Sequence, residues 1–557
     1  MLKRRWAAAW LLLKSRKFRE LSKRILRLVR NSAGKKTSID YTKWRERWIE
    51  LNEEEKKRIE EDVKNLTNSP SFSLILDAKR ATPVSLFSTI ESVVGQLYPN
   101  WFLYIKNSSN LDSDPKKRIL SFNDSRIKLA GPELSELNEW IIELEAGTRL
   151  HDAALFVLST SINENPDNQI IYSDHDHVDD LGRFRDPHMK PDWNADLFAA
   201  MNYMKPLAAC SKELWLSHRD KSSSQHSFLI EATRNLSNEK IFHIPNVLAS
   251  VEITDDYSHL KPPCERIFRD PPSPAPKVSI LVPSRDQGHM IERCLESLFD
   301  KTDYPNYEVV LIDHETSEPK ALRVIEEFKT KDNFQVVDFS GVFNFSAMIN
   351  NAVEVAQGQV LLLLNNDTEV VDPGWLTEIV SQVSRPEVGI VGALLVFNDD
   401  TIQHAGVHPD PEGFMTHGHK HWPRESAGYF SRLLAVHEVA AVTGACLAIR
   451  KDTWDLLDGL DEKNLPVAYN DIDLCLKARK AGLKIIFTPY AYLVHHESIS
   501  RGIDLEPEKN LRLQKELNVM HDRWGKMLSS DPAYNPNLDF NRGGFNLKKN
   551  PVETINL

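Results

Sequence analysis

The 557-residue chain is 41% apolar and 27% charged, ordinary for a folded soluble protein, which excludes disorder along its whole length and predicts three or four domains at ~150 residues each. Its longest apolar run, Trp6 to Leu13, is far short of the ~20 residues of a spanning helix, and this excludes a multi-spanning membrane protein. The net charge of −11 hides an asymmetry: residues 1–36 carry thirteen Lys/Arg against Glu20 alone, so the remaining body is strongly acidic and no nucleic-acid partner is expected.

Residues 1–36 read as a basic amphipathic helix, with Trp6, Trp10, Leu13, Phe18, Leu21, Ile25, Leu28 and Val29 at roughly helical spacing. Such a segment suits the surface of an anionic membrane, with its tryptophans at headgroup depth. A signal peptide is the rival reading, but no small-residue cleavage site follows and the chain turns basic again at Lys14. A solvated or protein-docked basic helix is the third. Residues 37–68 form a charged helical neck.

Beyond the neck the chain repeats itself. Phe72-Ser73-Leu74-Ile75-Leu76 matches Val278-Ser279-Ile280-Leu281-Val282, and Tyr98-Pro99-Asn100-Trp101 matches Tyr304-Pro305-Asn306-Tyr307, both at an offset of 206. Glu145-Ala146-Gly147-Thr148 parallels Asn365-Asn366-Asp367-Thr368 at an offset of 220. Each copy alternates apolar strands with helices, which predicts α/β architecture with a largely parallel sheet. The expected units are residues 69–256, a proline-rich linker at 257–276, residues 277–505, and a tail at 506–557 that is helical at first. Five cysteines without a CxxC pair fit a reducing compartment.

In the second copy each apolar strand ends in polar or acidic residues: Pro283-Ser284-Arg285-Asp286, then Asp313, then Asn365-Asn366-Asp367. Ligands of open α/β sheets sit at the carboxyl ends of strands, so Asp286, Asp313 and Asp367 are expected at one crevice. An acid beyond the second strand suits a ribose or base contact, and Asn-x-Asp suits an oxygen-ligated Mg²⁺ or Mn²⁺.

These residues resemble a family 2 inverting glycosyltransferase of the GT-A (Rossmann-like) fold, most closely over about 277–502. The resemblance implies nucleotide contacts at Pro283, Arg285, Asp286, Asp313, Asn366 and Arg501, and a divalent cation held by Asn365, Asp367 and one of His495 and His496. Asn365 departs from the acidic residue common at that position. In Tyr469-Asn470-Asp471-Ile472-Asp473 the resemblance makes Asp471 the catalytic base, with Asp473 beside it. It further implies a nucleotide-sugar donor such as dTDP-rhamnose, a glycan or lipid-linked acceptor, and a peripheral place at the cytoplasmic face of an anionic membrane.

The first copy carries Arg80, Asn107 and Glu145-Ala146-Gly147 where the second has its acids, and the region before Pro245, which parallels Pro489, reads Gln225-His226-Ser227-Phe228 with no acidic pair, so it resembles a degenerate GT-A domain. A scaffold or acceptor-binding role is expected of it. Its segment Arg183 to Trp193 resembles the first domain of bacterial polysaccharide glycosyltransferases. Two histidine tracts are set aside: His417-x-His419-x-His421, read as an exposed loop, and Asp174-His175-Asp176-His177, read as following a strand. The competing readings are a non-catalytic carbohydrate-binding or assembly protein and a nucleotidyltransferase of similar fold.

Overall fold

The computed structural model describes residues 39–551, except 80, 109–110, 112, 220–221, 223, 254–257, 410–414, 497–506, 530 and 540–543. The basic head, Arg80 and Arg501 lie outside the described residues.

The architecture is mixed α/β, built on two large sheets. The first comprises β1 (Phe72–Asp77), β2 (Trp101–Lys106), β3 (Ile127–Lys128), β4 (Trp140–Leu144), β5 (Thr148–Leu150), β6 (Ile170–Val178), β7 (Phe184–His188), β8 (Ala208–Ser211) and β9 (Ile241–Glu252). Its order is β3-β2-β1-β4-β8-β6-β9-β5, with β7 beside β6. The second holds β10 (Val278–Ser284), β11 (Tyr307–Asp313), β12 (Phe334–Asp338), β13 (Val360–Leu364), β14 (Thr368–Val370), β15 (Val388–Val396), β16 (Ile402–His404), β19 (His437–Glu438), β20 (Cys446–Arg450) and β21 (Lys484–His495); β17 (Val407–Pro409) and β18 (Met415–His417) pair separately. Its order is β12-β11-β10-β13-β20-β15-β21-β14. Position by position this is the order of the first sheet, with the same parallel and antiparallel pairings.

The repeated Tyr-Pro-Asn has a mechanical meaning. The Tyr98 hydroxyl donates to the Pro70 carbonyl at 2.7 Å, and Tyr304 does the same to Pro276 at 2.7 Å. Asn100 donates to Ser69 and Asn306 to Ala275. In each sheet these side chains pin the chain entering the first strand to the turn before the second. That fixes the register pairing Phe72 with Trp101 and Val278 with Tyr307.

Unbroken apolar strands arise because the second sheet is covered on both faces. Leu281, Leu361 and Leu363 point into one core with the helix Phe345–Val355, while Ile280, Val282, Leu362 and Leu364 point into another with Gly288–Lys301 and Trp375–Val383. Successive strand residues alternate faces, so both cores are filled from one run of sequence.

The two halves meet along the segment whose purpose sequence could not give. His188 stacks on Phe430 at 3.8 Å, the Met189 amide donates to the Tyr429 hydroxyl, and the Asp192 amide donates to the Pro532 carbonyl. Asp196 bridges Arg269 of the linker and Arg385 of the second half. The tail crosses back to the first half, where the Asn535 amide donates to Oδ2 of buried Asp174.

Both histidine tracts sit differently from their sequence reading. Asp174 to His177 lie within β6, not after a strand, and all four are buried. Asp174 pairs with His243 at 2.9 Å, and Asp176 accepts from Tyr41 and Arg45. In the second tract His419 is buried and accepts from the Tyr429 amide, His417 meets His404 Nδ1 to Nδ1 at 2.8 Å, and only His421 is exposed. Burial keeps His417 neutral, its pKa pulled down to about 4. His417 and His419 are therefore packed against the protein, and His421 keeps the exposed place.

Candidate active site

The carboxyl ends of β10, β11 and β13 form one edge. Ser284 and Asp313 are register partners at the ends of β10 and β11, and Asn366 donates to the Ser284 hydroxyl at 3.1 Å. The Asn365 amide donates to the Ala445 carbonyl at 3.0 Å, and one residue earlier the Gly444 amide donates to Asp471 Oδ2 at 2.8 Å. Asp313, Asn365, Asn366 and Asp471 are thus joined through short backbone and side-chain contacts along a single edge.

Asp286 belongs to this edge, yet its carboxylate faces the protein. Its Oδ1 accepts the Ser317 and Glu318 amides at 2.7 and 2.8 Å, and these bonds hold its pKa below the ordinary carboxylate value. Asp286 therefore staples the loop after β11 to the loop after β10. Pro283 is half-buried within β10, and Arg285 is exposed on the same loop. Asp286, Gln287 and Glu315 all have φ between 52° and 57°, a left-handed backbone unusual for these residue types. Such strain concentrates at functional edges.

The second cluster lies where β14 meets β21. Thr368 pairs with His495, which brings Asp367 against the end of β21. Oδ1 of Asp367 is 3.0 Å from Nε2 of His495, and Asn365 Nδ2 is 3.4 Å from the same nitrogen. Nδ1 of His495 is 2.6 Å from Oε1 of Gln403. His496 turns away: its amide binds the Asp367 carbonyl, and its ring pairs with Glu369 at 3.1 Å. Of the two histidines, His495 is the one brought to Asp367.

The donor set fits a hard divalent ion. Two adjacent ligands of an octahedral ion at ~2.1 Å stand about 3.0 Å apart, which is the separation of Asp367 Oδ1 and His495 Nε2. Asn365 adds a neutral amide within reach. No group of three His, Cys, Asp or Glu suited to a metal occurs among the described residues.

Asp471 sits in the first turn of the helix Asn470–Lys480, where Oδ1 accepts the Ile472 amide at 2.8 Å and Oδ2 the Gly444 amide. These two amides fix the orientation of the carboxylate. Tyr469, just before the helix, has φ 61°. That strained turn is clamped from the helix Pro507–Leu528, where Glu516 Oε1 accepts the Val467 and Ala468 amides.

Asp473 is a correction to the sequence reading. It is 1% exposed, and Oδ1 accepts from Arg523 at 2.7 Å and from the Trp524 indole at 2.8 Å. On a helix, residues two apart do not share a face, so Asp471 and Asp473 cannot serve one site together. Asp473 fastens the C-terminal helix. Asp473→Ala is expected to destabilise the fold by about 1–3 kcal/mol, because the buried Trp524 indole loses its acceptor while Arg523 keeps Asp461 at 2.7 Å; denaturant unfolding measures it.

In the first half the equivalent positions hold different chemistry. Thr148 pairs with Val251 as Thr368 pairs with His495, so an apolar residue replaces the imidazole. Arg149 and Glu252 form an ion pair at 2.7 Å where the second half has Glu369 and His496. Gly147 takes the place of Asp367 with φ +95°, a conformation that an aspartate adopts only under strain. Lys205 pairs with Glu145, which corresponds to Asn365. The Asn107 amide donates to Asp77 where Asp313 stands in the second half.

Residues 274–516 match the family model described as glycosyltransferase like family 2. The chain is 34% identical over 542 residues to an uncharacterized protein of Sinorhizobium fredii, covering 88% of this chain and 60% of that one. It is 29% identical over 554 residues to the O-antigen biosynthesis protein RfbC of Myxococcus xanthus, covering 89% and 42%. It is 23% identical over 239 residues to the N-acetylglucosaminyl-diphospho-decaprenol L-rhamnosyltransferase of Mycobacterium tuberculosis, covering 39% and 75%. The chain spans three fifths or less of the length of the first two relatives. The C-terminal half thus carries a domain similar to the family 2 glycosyltransferases.

Proposed function

We propose that the chain is an inverting glycosyltransferase that moves a sugar from a nucleotide-diphospho-sugar to a cell-surface polysaccharide, such as an O-antigen, or to a lipid-linked glycan. The observation that carries this reading is one edge holding both a carboxylate oriented by backbone amides, Asp471, and a pair able to hold a cation, Asp367 and His495. Asp471 accepts the proton of the acceptor hydroxyl as its oxygen attacks the sugar C1. The new C1–O bond forms as the bond from C1 to the diphosphate oxygen breaks on the opposite face, so the anomeric centre inverts and no covalent enzyme intermediate is needed. A divalent cation bound at Asp367 and His495 would neutralise charge growing on the departing diphosphate. Asp313 suits the nucleoside, Asn366 and Arg285 the donor's polar groups, and Arg501 the diphosphate.

The two sheets of identical strand order support two GT-A modules in tandem, at 69–256 and 277–505, with 257–276 as the linker and the first module as scaffold. The rhamnosyltransferase relative makes dTDP-rhamnose the first donor to try. Incubating the chain with a panel of nucleotide sugars and Mn²⁺ tests the reading: release of nucleoside diphosphate from one donor supports it, and inertness toward the whole panel opposes it. In the non-catalytic alternative, glycans bind and no donor is consumed.

The proposed place is peripheral, at the inner face of an anionic membrane. No helix among the described residues is long and apolar enough to cross a membrane. Removing residues 1–36 is expected to release the chain from anionic liposomes while transfer to a soluble acceptor persists. At ~1 kcal/mol per basic residue near such a surface, half of the thirteen outweigh repulsion of the acidic body. Equal co-sedimentation of the truncated and full chains contradicts this.

A further inference from the structure

We infer that Gln403 is the positioning residue of the cation site, an inference that rests on the reading of Asp367 and His495 as ligands. Gln403 lies in the three-residue strand β16 and is 4% exposed. Its Oε1 stands 2.6 Å from Nδ1 of His495. A carboxamide oxygen only accepts, so Nδ1 of the ring carries the hydrogen and donates it. In the neutral imidazole the lone pair then resides on Nε2, the atom 3.0 Å from Asp367 Oδ1.

With the lone pair on Nε2, that nitrogen and Asp367 Oδ1 both present electron pairs to a cation placed between them. The Gln403 tether holds them there: it fixes both the tautomer and the rotation of the ring, as outer partners of metal-bound histidines commonly do. Alternation along β16 separates the roles of neighbours, since Gln403 reaches His495 while His404 reaches His417. Gln403 acts through His495 and touches no reacting atom.

The test measures Mn²⁺ affinity of the full chain by electron paramagnetic resonance and calorimetry, with UDP, dTDP and GDP each in turn. Gln403→Met keeps the length and apolar bulk but removes the acceptor, and is expected to weaken Mn²⁺ binding by about 10–100-fold. Gln403→Glu keeps an acceptor oxygen and is expected to bind Mn²⁺ at or above the wild-type level. A role in packing alone predicts the reverse order, with methionine tolerated and a buried glutamate harmful. Unchanged Mn²⁺ affinity in Gln403→Met overturns the inference, as does loss of Mn²⁺ binding in a folded Gln403→Glu. If the methionine variant fails to fold, the glutamate variant decides the matter alone. Absence of Mn²⁺ binding by the wild-type chain with all three nucleotides overturns the ligand reading itself, and this inference with it.

Discussion

Asp471→Asn is expected to cut glycosyl transfer by about 10²–10⁴-fold while nucleotide-sugar binding stays near the wild-type level. Asparagine keeps the size and one acceptor oxygen, so the bond from the Gly444 amide can survive. What it loses is the ability to take a proton. A carboxylate offers about four acceptor positions, and the Gly444 and Ile472 amides orient it through two of them. Donor affinity and transfer rate, measured separately on one preparation, decide the matter. Full activity in the variant would remove Asp471 from the role, and Asp473 could not replace it from its buried place against Arg523 and Trp524.

Asp367→Ala is expected to weaken Mn²⁺-dependent nucleoside diphosphate binding by about 100-fold or more, since it deletes the carboxylate that faces His495 Nε2. Glu145→Ala, at the corresponding edge of the first half, should leave that binding unchanged. There the ammonium of Lys205 already neutralises Glu145, and Gly147 and Val251 stand where the ligands would be. Calorimetry with nucleoside diphosphate and Mn²⁺ should therefore find one site per chain. Two equivalent sites, or a loss on changing Glu145, would show that the first half retains a metal site.

Much of this arrangement was legible in the sequence, for identifiable reasons. Five-residue apolar runs ending in acids announce strands covered on both faces, and the Tyr-Pro-Asn repeat marks a hydrogen bond that both sheets use. The convergence of Asp313 and Asn366 on one edge follows from strand ends alone. Asp286 was legible as a place but not as a role, because its partners are backbone amides that no sequence pattern advertises. The burial of Asp473 was available in the two-residue spacing from Asp471, a separation that a helix turns to different faces. Choosing between His495 and His496 required the pairing of β14 with β21. Gln403 and Glu516 were beyond reach: each acts across a long chain separation, with no local motif to mark it. The segment from Arg183 to Trp193 gains its meaning only from Tyr429, Phe430 and the tail, all contributed by the other half.

The central claim is a single displacement assisted by Asp471, and the configuration at C1 of the transferred sugar tests it most directly. Following the reaction by nuclear magnetic resonance from an α-linked donor should show a β-linked first product, and from a β-linked donor an α-linked one. Retention of the donor's configuration would demand a second displacement or another course of reaction, and would contradict the account.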